Sequence, residues 1–322
     1  MAERGRKPRI ASEKVRTVPR RERRWKVRRE HFGKTLPPGA TVAQLLDALP
    51  RLLAADGLRA AVDAVVRARR EKAEAIALVG AHVVKCGLGP TLCDLMRRGV
   101  LTAVAMNGAG AIHDYELARW GETSEDVDET LVEGTFGLVE ETGREMNAHF
   151  EQGAARGVGM GEALGEGLAR GGAVHAAESL LAVAHEAGIP VTVHVAIGTD
   201  VIHQHPTARG DVIGRLTMED FRILGAVVAR LGPGGVVLNL GSAVVLPEVF
   251  LKCVSTARNL GHSVSGFTAV NLDMTQHYRP LENVLRRPTL SGGRAIAITG
   301  HHEILIPLLA ACVLDALASS GG

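Results

Sequence analysis

The stretch Leu101-Thr102-Ala103-Val104-Ala105-Met106-Asn107-Gly108-Ala109-Gly110-Ala111-Ile112-His113-Asp114 decides how the chain is read. A short apolar run stops at Asn107. Small residues follow, and polar residues then return at helical spacing. An apolar run bounded by glycine reads as a buried strand, and the turn after it as the start of a helix. The same unit recurs along the chain. Apolar or β-branched runs lie at residues 75–79, 101–106, 191–195, 236–240, 267–272 and 295–298. Helical patterns fall at 42–49, 58–72, 246–260 and 303–318. Strands alternating with helices predict an α/β protein: a parallel sheet of about six strands with helices on both faces. Residues 112–187 read as a long helical insertion between the second and third strands, and no internal repeat is visible.

Composition narrows the class. The 322 residues are 46% hydrophobic and 22% charged, enough apolar material for a core and too much for a disordered chain. No run approaches the ~20 apolar residues of a membrane span. The four cysteines form no CxxC pair, which argues against a thiolate zinc site. The amino-terminal residues carry no apolar signal-peptide core, so a reducing cytoplasm is expected. Residues 1–34 hold 14 basic and four acidic residues, net +10, while the remainder carries 23 basic and 31 acidic residues, net −8. A flexible basic arm before a Pro37-Pro38-Gly39 break, followed by one domain over residues 35–322, is the expected organisation. The arm has the charge for RNA or for an acidic neighbouring subunit, but Trp25 and Phe32 are too few aromatics for a base-stacking platform.

Ligands of open parallel sheets bind beyond the carboxyl ends of the strands. Every loop expected there is small, glycine-containing or polar. Asn107, Gly108 and Gly110 lie between strand and helix, where backbone N–H groups and the helix N-terminus suit a phosphate. Gly87, Gly241 and Ser242 follow the first and fourth strands. Gly157-Val158-Gly159-Met160-Gly161 has fingerprint spacing, yet it follows a helical run and reads as a loop before a helix. Six of the 13 histidines (His194, His203, His205, His277, His301 and His302) fall after strands three, five and six, which points to acid–base work or a metal. Asp200, His203 and His205 are the candidate catalytic group. With a metal they would make a hydrolase, although the helical HExxH arrangement is absent. Asp273, His277, His301, His302 and Glu303 are the candidate substrate residues.

In these loops the chain resembles deoxyhypusine synthase and its superfamily. Residues 81–88 resemble its Ser-Asn-x-x-Ser-Ser-Gly-Leu loop, and 106–114 its Thr-Thr-Ala-Gly-Gly-x-Glu-Glu-Asp. Residues 189–205 are similar to the segment from Ile-Pro-Val to an Asp-x4-His, which puts Asp200 and His205 on that pair. Residues 240–243 and 269–273 resemble its Gly-Gly-Gly and Val-Tyr-Ile-Asn-Thr segments, and Ile306-Pro307-Leu308-Leu309 the Pro-Leu-Leu of its last helix. The resemblance runs from about residue 40 to 320. It implies a Rossmann-like, deoxyhypusine synthase-like NAD-binding fold and a homotetramer of paired dimers. It adds Ala109, Asp114 and Asn271 to the residues expected to hold NAD, and makes a small-molecule amine the expected substrate.

One departure matters. The family carries its aminobutyl group on a lysine before the last strand, and an imine needs a primary amine there. This chain has Leu285-Arg286-Arg287-Pro288 in that region and no lysine after Lys252. Arginine does not lose its proton in proteins. The Asn107–Asp114 loop also resembles that of archaeal NAD-dependent ornithine cyclodeaminases, whose chemistry needs no lysine nucleophile. The expectation is an NAD-dependent enzyme, a transferase or lyase, that oxidises a polyamine or basic amino acid to an imine before transfer or cyclisation. A metal-assisted hydrolase and a non-catalytic nucleotide-fold binding protein are the alternatives.

Overall fold

The computed structural model describes residues 9–319. Six strands alternate with helices: α1 (Val42–Ala48), α2 (Leu53–Glu71), β1 (Ala75–Val79), α3 (Ala81–Lys85), α4 (Gly89–Arg97), β2 (Ala103–Asn107), α5 (Gly108–Trp120), α6 (Val127–Glu133), α7 (Glu140–Arg156), α8 (Met160–Arg170), α9 (Leu180–Ala187), β3 (Val191–His194), α10 (Gly210–Ala229), β4 (Val236–Leu240), α11 (Val245–Asn259), β5 (Thr268–Asp273), a π-helical segment (Pro280–Arg286), α12 (Arg287–Thr289), β6 (Arg294–Thr299) and α13 (His302–Ala318). All pairings are parallel and the strand order is β3-β2-β1-β4-β5-β6. The order reverses between β1 and β4, where Ala75 pairs with Val236.

Both faces of the sheet are buried, as an all-parallel sheet requires. On β1, Ala75, Ala77 and Val79 join the core shared with α2, α9 and α13, while Ile76 and Leu78 join the one shared with α10 and α11. β6 is an edge strand, with Ile296 and Ile298 buried and its other four residues exposed. β2 starts at Ala103 rather than residue 101; just before it Thr102 donates its N–H to the Ala75 carbonyl, while its Oγ1 accepts the Ala75 N–H and donates to the Glu74 carboxylate. α2 begins at Leu53, ahead of the expected 58. Arg59 there reaches back to the carbonyls of Leu46, Leu49 and Pro50.

Of the basic arm, residues 1–8 lie outside the described residues. Residues 9–34 are almost wholly exposed and contain three single 3-10 turns. Their end is tied to α1 and its exit: Lys34 N–H donates to the Ala48 carbonyl and Arg51 N–H to the His31 carbonyl. Among the described residues, no helix is long and apolar enough to cross a membrane.

The five helices between β2 and β3 are fixed by buried carboxylates. Asp220 on α10 is fully buried; its Oδ2 accepts the N–H of Val193 at 2.7 Å and of Gly161 at 3.0 Å. The Gly157–Gly161 stretch is thus the turn into α8, and its helix N-terminus is filled from within the chain. A Cβ at Gly159 would lie 1.8 Å from Asp220 Oδ1, and one at Gly161 2.2 Å from the Val191 carbonyl, so both glycines are required by close approach. Asp114 does the same for α9, accepting from Ser179 Oγ at 2.6 Å, Leu180 N–H at 2.9 Å and Leu181 N–H at 3.0 Å. Replacing Asp220 by Ala leaves buried N–H groups unpaired and should cost about 2–4 kcal/mol. Glu219→Ala, which removes only a surface pair with Arg222, should cost under about 1 kcal/mol. Urea unfolding of the two variants checks the difference.

Candidate active site

The carboxyl ends of the strands carry two groups of polar side chains, one on each side of α3. The first surrounds the N-terminus of α5. Asn107 caps it, accepting from Gly110 N–H at 3.2 Å. Asp200, arriving from the loop after β3, accepts from the backbone of Ala109. A Cβ at Gly108 would stand 2.0 Å from Asp200 Oδ2, so only glycine lets this carboxylate settle on the helix. The Asn107–Gly110 turn therefore meets Asp200 where a phosphate was expected. Burial pushes the Asp200 carboxyl up to about 6, against the lowering effect of the Ala109 bond.

His203 faces Asp200. Its Nδ1 accepts from the N–H groups of Gly198 at 3.1 Å and Asp200 at 3.3 Å, so the neutral ring carries its proton on Nε2. Nε2 lies 3.8 Å from Asp200 Oδ2, and both atoms are buried with no hydrogen bond. Burial lowers the His203 imidazole. The third member of the expected catalytic group stands apart. His205 is bonded through Nε2 to the Gly137 carbonyl at 3.0 Å and packs on α7, where a Cβ at Gly143 would be 2.1 Å from its Nδ1. His194 is spent on Thr192 at 3.0 Å, and burial brings it down to about 4.

Above α5 opens a cavity of about 650 Å³. One stripe of α5 lines it: Ala109, Ile112, His113, Glu116 and Trp120, positions that share a helix face. Lys85 of α3, Thr199, Asp200 and Val201 after β3, residues 122–125, and Val127, Phe136, Val139 and Thr142 complete the lining. Glu116, Glu122, Glu125 and Asp200 outnumber the one lysine, so the cavity is acidic. Of these lining side chains, the sequence pointed to only Ala109 and Asp200 as site residues. The i, i+3, i+7 spacing of His113, Glu116 and Trp120 was the signal that could have found the rest.

The second group lies across α3, at the ends of β4 and β5. Asn239, Ser242, Asn271, Asp273 and His302 are all buried there. Asn239 Nδ2 donates to Asn271 Oδ1 at 2.6 Å and to the Ser242 carbonyl at 3.0 Å. His302 rests against Gly241, where a Cβ would come within 2.7 Å of the ring, and its Nε2 is 3.6 Å from Asp273 Oδ1. Burial lowers the His302 imidazole despite Asp273. The His82 ring meets His302 edge-on at 5.7 Å and also touches Cys86 Sγ at 3.3 Å. Asn239 Oδ1, Asp273 Oδ2 and both ring nitrogens of His302 have no hydrogen-bond partner. Next to them α11 starts after Gly241 and Val244 with no side-chain cap.

The other expected residues are not in either group. Asp114 is consumed by α9, and with Gly87 it lines a smaller cavity of about 240 Å³. His277, His301 and Glu303 are exposed, with His301 Nδ1 3.8 Å from Glu303 Oε1. Among the described residues, no three His, Cys, Asp or Glu side chains stand together as a metal site.

Solved structures share the architecture. AgrE, determined as a ternary complex with ornithine and NAD+, matches with 14% identity and a TM-score of 0.53 over 85% of this chain and 36% of AgrE. A conserved LOR/SDH protein from Methanococcus maripaludis matches with 16% identity and a TM-score of 0.51 over 81% and 68%. A protein described as a deoxyhypusine synthase from Entamoeba histolytica matches with 12% identity and a TM-score of 0.53 over 88% and 97%. The chain thus has the deoxyhypusine synthase-like α/β fold, and it spans about a third of the length of AgrE. No protein-family model matches the sequence, and no curated protein does.

Asp200 offers a direct check of this geometry. Its carboxyl titrates near 3.8 unfolded and about 6 folded, so between these values the folded state holds the extra proton and loses stability as pH rises. The gap is worth about 3 kcal/mol. Asp200→Asn keeps the acceptor oxygen without the charge. Relative to the parent, its stability in urea should improve by about 2–3 kcal/mol between pH 4 and pH 8.

Proposed function

We propose that the protein is an NAD-dependent enzyme that oxidises the amine of a basic amino acid or polyamine to an imine, with transfer or cyclisation to follow. The observation that carries this reading is the acidic cavity at the carboxyl end of a parallel sheet, beside a helix N-terminus left bare at the point where the strand order reverses. The likeness in fold to AgrE, solved with ornithine and NAD+, supports it. An ammonium ion is all donor, and carboxylates are its natural partners.

A dinucleotide fits the second group. α11 is 15 residues long, and the N–H groups of Val245 and Leu246 at its start, ahead of Pro247, lack a side-chain cap, which suits a phosphate oxygen. Asn239 Oδ1 and Asp273 Oδ2 are acceptors in want of donors, as ribose hydroxyls are. Gly80 and Gly241 keep side chains out of the space where the first and fourth loops meet. Asn271 holds Asn239 in place. A nicotinamide held there would supply the hydride acceptor for the carbon that bears the amine. The chain's own residues then have distinct duties. Glu116, Glu122 and Glu125 hold the cation. Asp200, raised to about 6 and facing the His203 Nε2–H, holds or releases a proton near neutrality, while Asn107, Gly108 and Gly110 seat it on α5.

The covalent step of deoxyhypusine synthesis is not assigned, because the Leu285–Pro288 region offers arginine in place of lysine. A metal-assisted hydrolase lacks grouped donors among the described residues. A homotetramer of paired dimers, the basic arm as an extension outside the catalytic fold, and a cytoplasmic setting complete the proposal.

The test is a substitution that fills the bare helix end. Val244 is 48% exposed, and Val244→Asp supplies both a cap and a negative charge. Stability should hold or rise by about 0.5–1 kcal/mol, while NAD+ affinity falls more than about tenfold. Undiminished NAD+ binding by the folded variant would reject the placement. Absence of both transient NAD+ reduction in a single turnover and any consumption of ornithine, arginine, spermidine and related amines would reject the reaction.

A further inference from the structure

His113 is held by a chain of hydrogen bonds that fixes where its proton sits. Its Nδ1 lies 2.7 Å from Thr123 Oγ1. The Thr123 hydroxyl has one proton and donates it to Glu116 Oε2 at 2.5 Å. The other Glu116 oxygen accepts from Thr142 Oγ1 at 2.9 Å. A carboxylate only accepts, so the Thr123 oxygen must take its remaining bond from an N–H on His113. Nδ1 therefore carries the ring proton and Nε2 is a lone pair. Nε2 has no partner among the described residues, and it is not one of the buried unpartnered atoms, so it opens into the cavity that His113 lines.

The surroundings keep this ring neutral. Burial, and after it the nearby Lys85, bring the imidazole down to about 4. The charged groups that share its cavity are Lys85 from α3, Glu116 on its own helix, Glu122 and Glu125 from the following segment, and Asp200 from the β3 loop. A protonated histidine would repel a cation, whereas a neutral one with an inward lone pair accepts from it at any pH above about 5.

We propose that His113 Nε2 is the acceptor that positions a primary ammonium group of the substrate in the acidic cavity, with Thr123, Glu116 and Thr142 fixing its tautomer. This rests on the amine reading of the cavity. It gives the site a directional contact that carboxylates alone do not supply, since they attract any cation.

Nuclear magnetic resonance of protein labelled in histidine with nitrogen-15 reads the proton directly. His113 should be the Nδ1–H tautomer from pH 5 to pH 8, and 1,4-diaminobutane at pH 7 should move its Nε2 resonance. His113→Leu should weaken diamine binding about tenfold. His113→Gln, which offers an amide oxygen near the Nε2 position, should recover most of that loss. An Nε2–H tautomer overturns the proposal. So does failure of the diamine to bind, or binding that His113→Leu leaves unchanged. Diamine binding with the expected resonance shift, but neither transient NAD+ reduction nor consumption of any amine, rejects the oxidation reading and upholds this one.

Discussion

A carboxylate laid on the N-terminus of a helix is the interaction on which the rest of this structure depends. The first N–H groups of a helix have no partner within it and present positive potential, so a buried acid placed there satisfies both itself and the helix. Asp114 closes α9 and Asp220 closes α8, each from a distant part of the chain. Together they hold the five-helix insert against the sheet. Asp200 uses the same device on α5 but is less well supplied: one backbone donor, one oxygen with no partner and a carboxyl pushed up to about 6. Asp220 also keeps one oxygen without a partner, but it lies under α8 and away from the cavity, whereas Asp200 lines the cavity. α11 has no such acid, and its start is where the proposed dinucleotide would place its phosphates.

α3 separates the two halves of the site. On one side Lys85 and the α5 stripe border an acidic chamber; on the other, His82 leans on His302 above the bare α11. The division follows charge. Carboxylates collect where a cation would be held, and N–H groups remain free where an anion would be held. The small residues Gly80 and Gly241 make this arrangement possible. A Cβ on Gly80 would lie 2.2 Å from the Gly241 carbonyl, so the loops after β1 and β4 meet backbone to backbone.

Much of the fold was legible in the sequence because strand and helix periodicities are local. The six strands fall within a few residues of their apolar runs, and the rim loops are the glycine-containing segments that follow them. The strand order and the partners of the buried acids were not legible, since both depend on pairings between residues far apart. His205 shows the limit. Its spacing from Asp200 suggested a shared site, but the 3-10 turn between them sends it behind the cavity onto Gly143. Asp114 shows another: a motif position expected to meet cofactor closes a helix 65 residues downstream. Glu122, Glu125 and Phe136 reach the cavity through the path of the insert, which no local pattern reports.

The central claim is that the dinucleotide lies on the bare end of α11 and across α3, while the acidic chamber is kept for the amine. Hydrogen–deuterium exchange with and without saturating NAD+ measures this residue by residue. Protection should appear at the start of α11, residues 241–248, and at residues 80–88, with the 122–139 wall of the chamber unchanged. Protection confined to that wall, or none at α11 despite binding, would contradict the account.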